Sequence, residues 1–127
     1  MQGKHSYEYA VIRLVPKVER EEFFNVGIIL FSKRAKYIKA LYKVDEDKLN
    51  LFSSELDRES LFANLHVFDK ICSGTKEGGP IAALDIPERF RWLTAVRSAS
   101  IQTSRPHPGF SDDLDRTLEI LFRELVL

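Results

Sequence analysis

The chain has 127 residues, of which 44% are hydrophobic and 30% are charged. This size and composition predict one soluble domain with a core of its own, and they exclude a disordered chain. Because 19 basic side chains balance 19 acidic ones, the zero net charge argues against a dedicated duplex-DNA binder. Nucleic acid is therefore the least expected class of partner.

The charges are unevenly spread along the chain. Residues 1–43 carry nine basic and four acidic side chains, whereas residues 44–73 carry three and seven. A dipolar surface of this kind would influence association with a partner, although ordinary solvated faces are the simpler explanation.

The cysteine and the histidines show no metal-site pattern. Cys72 is the single cysteine, so no internal disulfide can form, and its place on an apolar helical stripe predicts core packing. His5, His66 and His107 show no paired spacing, so neither a metal nor a cofactor is predicted. Because the chain shows no apolar leader and no run of ~20 apolar residues, we expect a cytoplasmic protein without membrane contact, of unassigned oligomeric state.

Three strands are predicted near the start of the chain, over residues 7–15, 25–31 and 37–43. All three are rich in β-branched and aromatic side chains. The second is apolar on both faces, which predicts a central position in the sheet. The connections between the three are too short to cross over a sheet, so an antiparallel meander is expected.

Helical patterns alternate with one further strand in the rest of the chain. Asp45 begins a short helix, Asp57 begins a longer one that ends at Gly74, and Asp85 begins a third. Residues 98–104 read as a fourth strand, and Ser111 is expected to cap a last amphipathic helix. The predicted fold class is α+β: an antiparallel sheet of about four strands with an N-terminal meander, and helices packed mainly on one face.

The predicted strand over residues 98–104 carries the most suggestive chemistry. Ser98, Gln102 and Ser104 share one face, where small hydroxyl and amide groups can bond to a ligand or to a neighbouring backbone. Arginines flank the strand, and arginine recognises carboxylate or phosphate in a bidentate manner. The candidate binding residues are Arg13, Asn25, Arg97, Ser98, Gln102, Ser104, Arg105 and His107.

A purely structural interpretation stands beside this one. The polar face can be the solvent side of an edge strand. R-P-H-P-G (105–109) can be a rigid turn in which the prolines fix φ and Gly109 takes an unusual dihedral angle.

Three segments carry a family resemblance: Y-A-V-I-R-L-V-P (9–16), F-F-N-V-G-I-I-L-F (23–31) and R-F-R-W-L-T-A-V-R-S-A-S-I-Q-T-S-R-P-H-P-G (89–109). Through them the chain, from about Tyr7 to Val126, resembles the bacterial family known as domain of unknown function 3037. The resemblance implies no activity and no catalytic residues. It implies a small cytoplasmic protein whose gene often lies beside one for a HipA-like kinase, and hence a protein partner.

Two functional hypotheses follow, and they leave open whether the protein is an enzyme. The first is a non-enzymatic interaction module that engages a protein partner, such as a HipA-like kinase or a toxin-like protein. The alternative is a domain that binds a small anionic ligand, such as a nucleotide, or processes a phosphoester. Arg13, Arg97 and Arg105 would then hold the anion, Ser98, Gln102 and Ser104 would position it, and His107 would be the acid–base group.

Overall fold

The computed structural model describes residues 4–17, 22–51, 58–95 and 101–127. The strands are β1 (His5–Lys17), β2 (Glu22–Ser32), β3 (Tyr37–Tyr42), β4 (Ile101–Thr103) and β5 (His107–Ser111). The helices are α1 (Glu46–Leu51), α2 (Arg58–Ser73), α3 (Ile86–Leu93) and α4 (Leu114–Leu125). Two short 3₁₀ turns, Lys76–Gly78 and Pro80–Ala83, lie between α2 and α3. Of the helices described, none combines the length and apolar character that a membrane span requires.

The strands form one antiparallel sheet in the order β3-β2-β1-β4, with β5 also paired to β1. The N-terminal meander is confirmed, because β1 pairs with β2 and β2 pairs with β3. β1 has 13 residues, so β4 and β5 can lie one after the other along its second side. β4 pairs opposite Ile12 to Leu14, and β5 pairs opposite His5 to Tyr9.

The apolar core lies on both faces of the sheet. On one face, the alternate β1 residues Ala10, Ile12 and Leu14 are fully buried against side chains of α1, α2 and α3. On the other face, Val11 packs with Leu118 and further side chains of α4. The α+β class is therefore confirmed, with three helices on one face and the C-terminal helix on the other.

The helix boundaries follow local chemistry. Asp45 accepts from the Asp47 N–H at 2.9 Å at the start of α1, and Asp85 accepts from the Glu88 N–H at 3.1 Å at the start of α3. Gly74, with φ of 74°, follows the end of α2 as predicted. Two predicted boundaries lie outside the described residues: the start of the longer helix at Asp57, and the first part of the fourth strand at residues 98–100.

The segment before α4 differs from the prediction. Residues 107–111 form a strand rather than a turn, which Pro108 permits because β5 lies at an edge of the described sheet. Gly109 has no positive φ; it is required because a Cβ there would collide with the Tyr7 ring. The α4 cap is Asp113, which accepts from the Arg116 N–H at 3.1 Å, and Ser111 is instead buried.

Candidate functional site

Three of the predicted binding residues form a row across the sheet. Arg13 of β1 lies directly opposite Asn25 of β2 on one side and Gln102 of β4 on the other. Directly paired residues of antiparallel strands project from the same face, so these side chains are neighbours. The Asn25 amide donates to the Leu125 carbonyl of α4 at 2.9 Å, which identifies the α4 face.

The Arg13 guanidinium is held against an aromatic ring. Its central carbon lies 4.3 Å from the centre of the Phe23 ring, a cation–π contact. Arg13 Nε and Asn25 Oδ1 are both buried without a hydrogen-bond partner. A donor and an acceptor thus remain unsatisfied in neighbouring positions of the same row, which is a feature of sites that bind water or a small ligand.

The hydroxyl and the backbone N–H of Ser104 both form hydrogen bonds within the fold. Its Oγ accepts from the Val11 N–H at 2.9 Å and donates to the Arg105 carbonyl at 3.1 Å. Its own N–H donates to the Val11 carbonyl at 2.9 Å. Ser104 therefore continues the pairing with β1 across the break between β4 and β5, with its hydroxyl in place of a backbone carbonyl.

The remaining predicted residues lie apart from the row. His107 stacks on Tyr9 with ring centres 5.2 Å apart, and Arg105 is exposed in the preceding connection. His107 pairs with Tyr9 and Gln102 with Arg13; at ~3.3 Å per residue, the two pairs are separated by about 13 Å along the sheet. Arg97 and Ser98 lie outside the described residues. The structure thus brings together Arg13, Asn25 and Gln102, and it does not bring His107 to them.

An apolar groove lies between α2, α3 and β4 and was not predicted. Its apolar lining comes from Val67, Phe68, Ile71, Trp92, Leu93, Ala95 and Ile101, and its polar lining from Asn64, Gln102 and Thr103. The cavity measures about 210 Å³. Val67 and Trp92 on its rim are 44% and 39% exposed, whereas Phe68 and Leu93 at its base are buried. The groove exists only where two helices and a strand meet, so the pattern within any single helix does not reveal it.

The titratable groups near the groove have structural roles. Burial raises the pKa of the Cys72 thiol to about 12, which keeps it neutral and unreactive. Arg89 Nη1 donates to the carbonyls of Ile71 and Cys72 at 3.4 and 3.3 Å, and so provides a hydrogen-bond donor for backbone carbonyls in the last turn of α2. Within the described ranges, no three histidine, cysteine or carboxylate side chains are placed to hold a metal ion.

Comparison with known proteins places the chain in one family. The family model described as protein of unknown function (DUF3037) matches residues 9–126, so the chain belongs to that family. No curated protein matches the chain, and no solved structure matches it.

Proposed function

We propose that this member of the DUF3037 family is a protein-interaction module that binds an extended segment of a partner protein in the groove between α2, α3 and β4. The observation that carries the proposal is the groove itself, where buried side chains form the base and half-exposed Val67 and Trp92 form the rim. An apolar surface of this kind on a domain with its own complete core is typical of an interaction site.

The size of the groove favours a side chain over a cofactor. Small-molecule sites usually measure ~300–1,000 Å³, and this cavity has about 210 Å³. That volume suits one or two apolar side chains of a bound segment. Covering Val67 and Trp92 would remove apolar surface from water at roughly 25 cal/mol per Å², which gives such a contact a favourable free energy.

The neighbouring strand offers a way to hold the backbone of the partner. In the described part of the chain, β4 pairs with β1 alone, and its other side faces away from the sheet. An added strand can hydrogen-bond to such an edge while its alternate side chains enter adjacent pockets. Because Ile101 and Thr103 both line the groove, a segment paired with β4 would deliver a side chain into it.

Trp92 is the aromatic side chain on the rim of the groove. Aromatic side chains are frequent anchors of protein interfaces, and Trp92 is the residue we expect to contribute most to affinity. A HipA-like kinase, which the family resemblance suggests, and a toxin-like protein are the first partners to examine.

Site-specific photocross-linking in the native host tests this proposal. A benzophenone amino acid is placed at position 67 or 92 of the full chain, and the matched control carries it at position 120. Ile120 lies on α4 and is 38% exposed, close to the exposure of Val67. We expect positions 67 and 92 to form adducts that map to one contiguous segment of one protein, with none at position 120. Equal labelling at all three positions, or no adduct at 67 and 92, would contradict the proposal.

A second candidate function rests on two unsatisfied atoms of the row, Arg13 Nε and Asn25 Oδ1. A small anion there could accept from Arg13 Nε, the buried donor that has no partner. A thermal-shift screen with phosphate and carboxylate compounds tests this role by comparing wild type with Arg13→Gln and, as a control on exposed α4, Arg123→Gln. A shift that is lost only in Arg13→Gln supports this second function, and the absence of any shift in wild type counts against it.

A further inference from the structure

A second cavity lies at the other end of β1 from the groove. It measures about 700 Å³ and is lined by Lys4, His5, Ser6, Arg34 and Phe110. These residues come from the start of β1, the turn between β2 and β3, and β5. Its volume falls within the ~300–1,000 Å³ of small-molecule sites.

The backbone around this cavity is firmly held. Ser32, which is 1% exposed, donates through its Oγ to the Ser6 carbonyl at 2.8 Å. This bond ties the end of β2 to the start of β1. Ser6 in turn pairs with Phe110 of β5. The backbone at Ser6 and Phe110 is therefore fixed, which lowers the entropy that is lost when a ligand binds against it.

The lining carries positive charge. Lys4 and Arg34 are exposed cations, and no described carboxylate lines the cavity. Lys33 and Lys36 stand in the same turn as Arg34 and are also exposed, so they add to the local potential. The exposed carboxylates closest along the chain are Glu8 and Asp112, and neither reaches the lining.

Lys36 occupies a position that disfavours lysine. Its φ is 53°, and it is the one described residue other than glycine with a positive φ. Glycine or asparagine would adopt this conformation at lower cost. Lys36 does not line the cavity, so its charge contributes to the site only through the local potential, at some cost in stability to the turn.

Phe110 supplies an aromatic face beside these cations. It is 74% exposed, the highest value among the large apolar side chains of the described residues. Its partner across the strands is the small Ser6, which leaves the ring uncovered. An aromatic ring beside cations is the arrangement with which proteins bind nucleotides, since every base offers a π face and every phosphate a negative charge.

We propose that this cavity binds a nucleotide unit, with its base stacked on Phe110 and its phosphates against Lys4 and Arg34. The proposal is independent of the groove and of the Arg13 row. A single nucleotide unit needs only a local cluster of cations, so the zero net charge of the chain does not oppose it. The unit can come from a free nucleotide or from a single strand, and both sources share this chemistry.

Fluorescence anisotropy with the full chain tests the proposal. The probe is a labelled eight-residue oligouridylate, and ATP and inorganic pyrophosphate serve as competitors. Phe110→Ala is expected to weaken binding roughly 5- to 150-fold, as loss of one stacked base does. Arg34→Gln is expected to weaken it and to reduce the slope of log affinity against log salt by about 0.7, the value for one phosphate contact on a single strand.

Matched controls separate the site from general effects. Phe62→Ala removes a different exposed phenylalanine, and Arg123→Gln removes a different exposed cation. Both control proteins should bind the probe within twofold of wild type. The melting temperature of every variant is measured to confirm that it is unchanged. Competition by ATP identifies a free nucleotide as the source, and binding of the oligonucleotide alone identifies a strand; either supports the proposal. Equal effects of Phe110→Ala and Phe62→Ala, pyrophosphate competing as well as ATP, or no binding of probe or ATP would overturn it.

Discussion

Replacement of Ser104 by alanine separates a structural role from a binding role. The Ser104 Oγ is the acceptor for the Val11 N–H at 2.9 Å, and both residues are buried, at 7% exposure each. The Val11 carbonyl is already paired with the Ser104 N–H. Alanine keeps that second bond but removes the first, together with the bond from the Ser104 hydroxyl to the Arg105 carbonyl, so the Val11 N–H stays buried with no acceptor.

The expected cost follows from that unpaired donor. A buried backbone N–H without a partner costs about 1–3 kcal/mol. Domains of this size have unfolding free energies of roughly 5–15 kcal/mol, so the loss is a substantial fraction of the total. The melting temperature should fall by roughly 3–15 °C.

The neighbouring residue provides the control. Thr103 Oγ1 is buried without a hydrogen-bond partner, so Thr103→Val removes an unsatisfied group and should leave stability unchanged or higher. Urea unfolding is followed through the fluorescence of Trp92, the single tryptophan. A Ser104→Ala protein within about 0.5 kcal/mol of wild type, below the usual range for such a loss, would refute the structural role.

Further predictions concern stability and reactivity at Lys36, Cys72 and Arg89. Lys36→Gly should raise the unfolding free energy by about 0.5–1 kcal/mol, because glycine accepts the φ of 53° without strain; a lower urea midpoint would argue against strain. Cys72, 2% exposed and with its pKa raised by burial to about 12, should resist a thiol reagent at pH 8 until urea unfolds the chain. For the same reason, between about pH 9 and pH 12 the Cys72 thiol is protonated in the folded chain and ionised in the unfolded chain. The contribution of the buried thiol to the unfolding free energy is therefore present in full below pH ~9 and is lost as the pH rises toward 12; a flat alkaline stability profile would count against it. Arg89→Ala should cost roughly 1–2 kcal/mol, because the Cys72 carbonyl at the end of α2 loses its Arg89 donor while the Ile71 carbonyl keeps only the Gly74 N–H; a melting temperature equal to wild type would show that the contact is dispensable.

Local patterns in the sequence predicted the elements that depend on neighbours in the chain. The strands of the meander, the Asp85 cap and the Gly74 terminus all involve residues that are close in sequence. Buried Cys72 also follows from the helical period of α2. These features are set by propensity, capping and amphipathic spacing, which a single sequence displays directly.

Features that depend on distant pairing could not be predicted in this way. Pro106, Pro108 and Gly109 have the composition of a turn, yet residues 107–111 pair with the start of β1, about a hundred positions earlier. Pro108 is compatible with a strand only because no described strand lies on its outer side. The edge position is a property of the assembled sheet.

The candidate site shows the same limit. The alternation in residues 98–104 indicated that the Ser104 hydroxyl could form a hydrogen bond, but it could not show that the partner is Val11, 93 positions away. Nor could it show that Gln102 and Asn25 flank Arg13. The groove and the cavity at Phe110 were missed because each joins three separate elements. The available signal was the exposure of Trp92 and Phe110, which only the fold reveals.

The affinity of the cross-linked partner segment for the groove tests the central claim most directly. A peptide of that segment is titrated into the full chain by calorimetry, with wild type, Trp92→Ala and, as a control on α4, Ile120→Ala. We predict that Trp92→Ala weakens binding about tenfold or more, as loss of an aromatic anchor does, and that Ile120→Ala binds within twofold of wild type. Equal affinity of all three proteins would contradict the claim that this groove is where the partner binds.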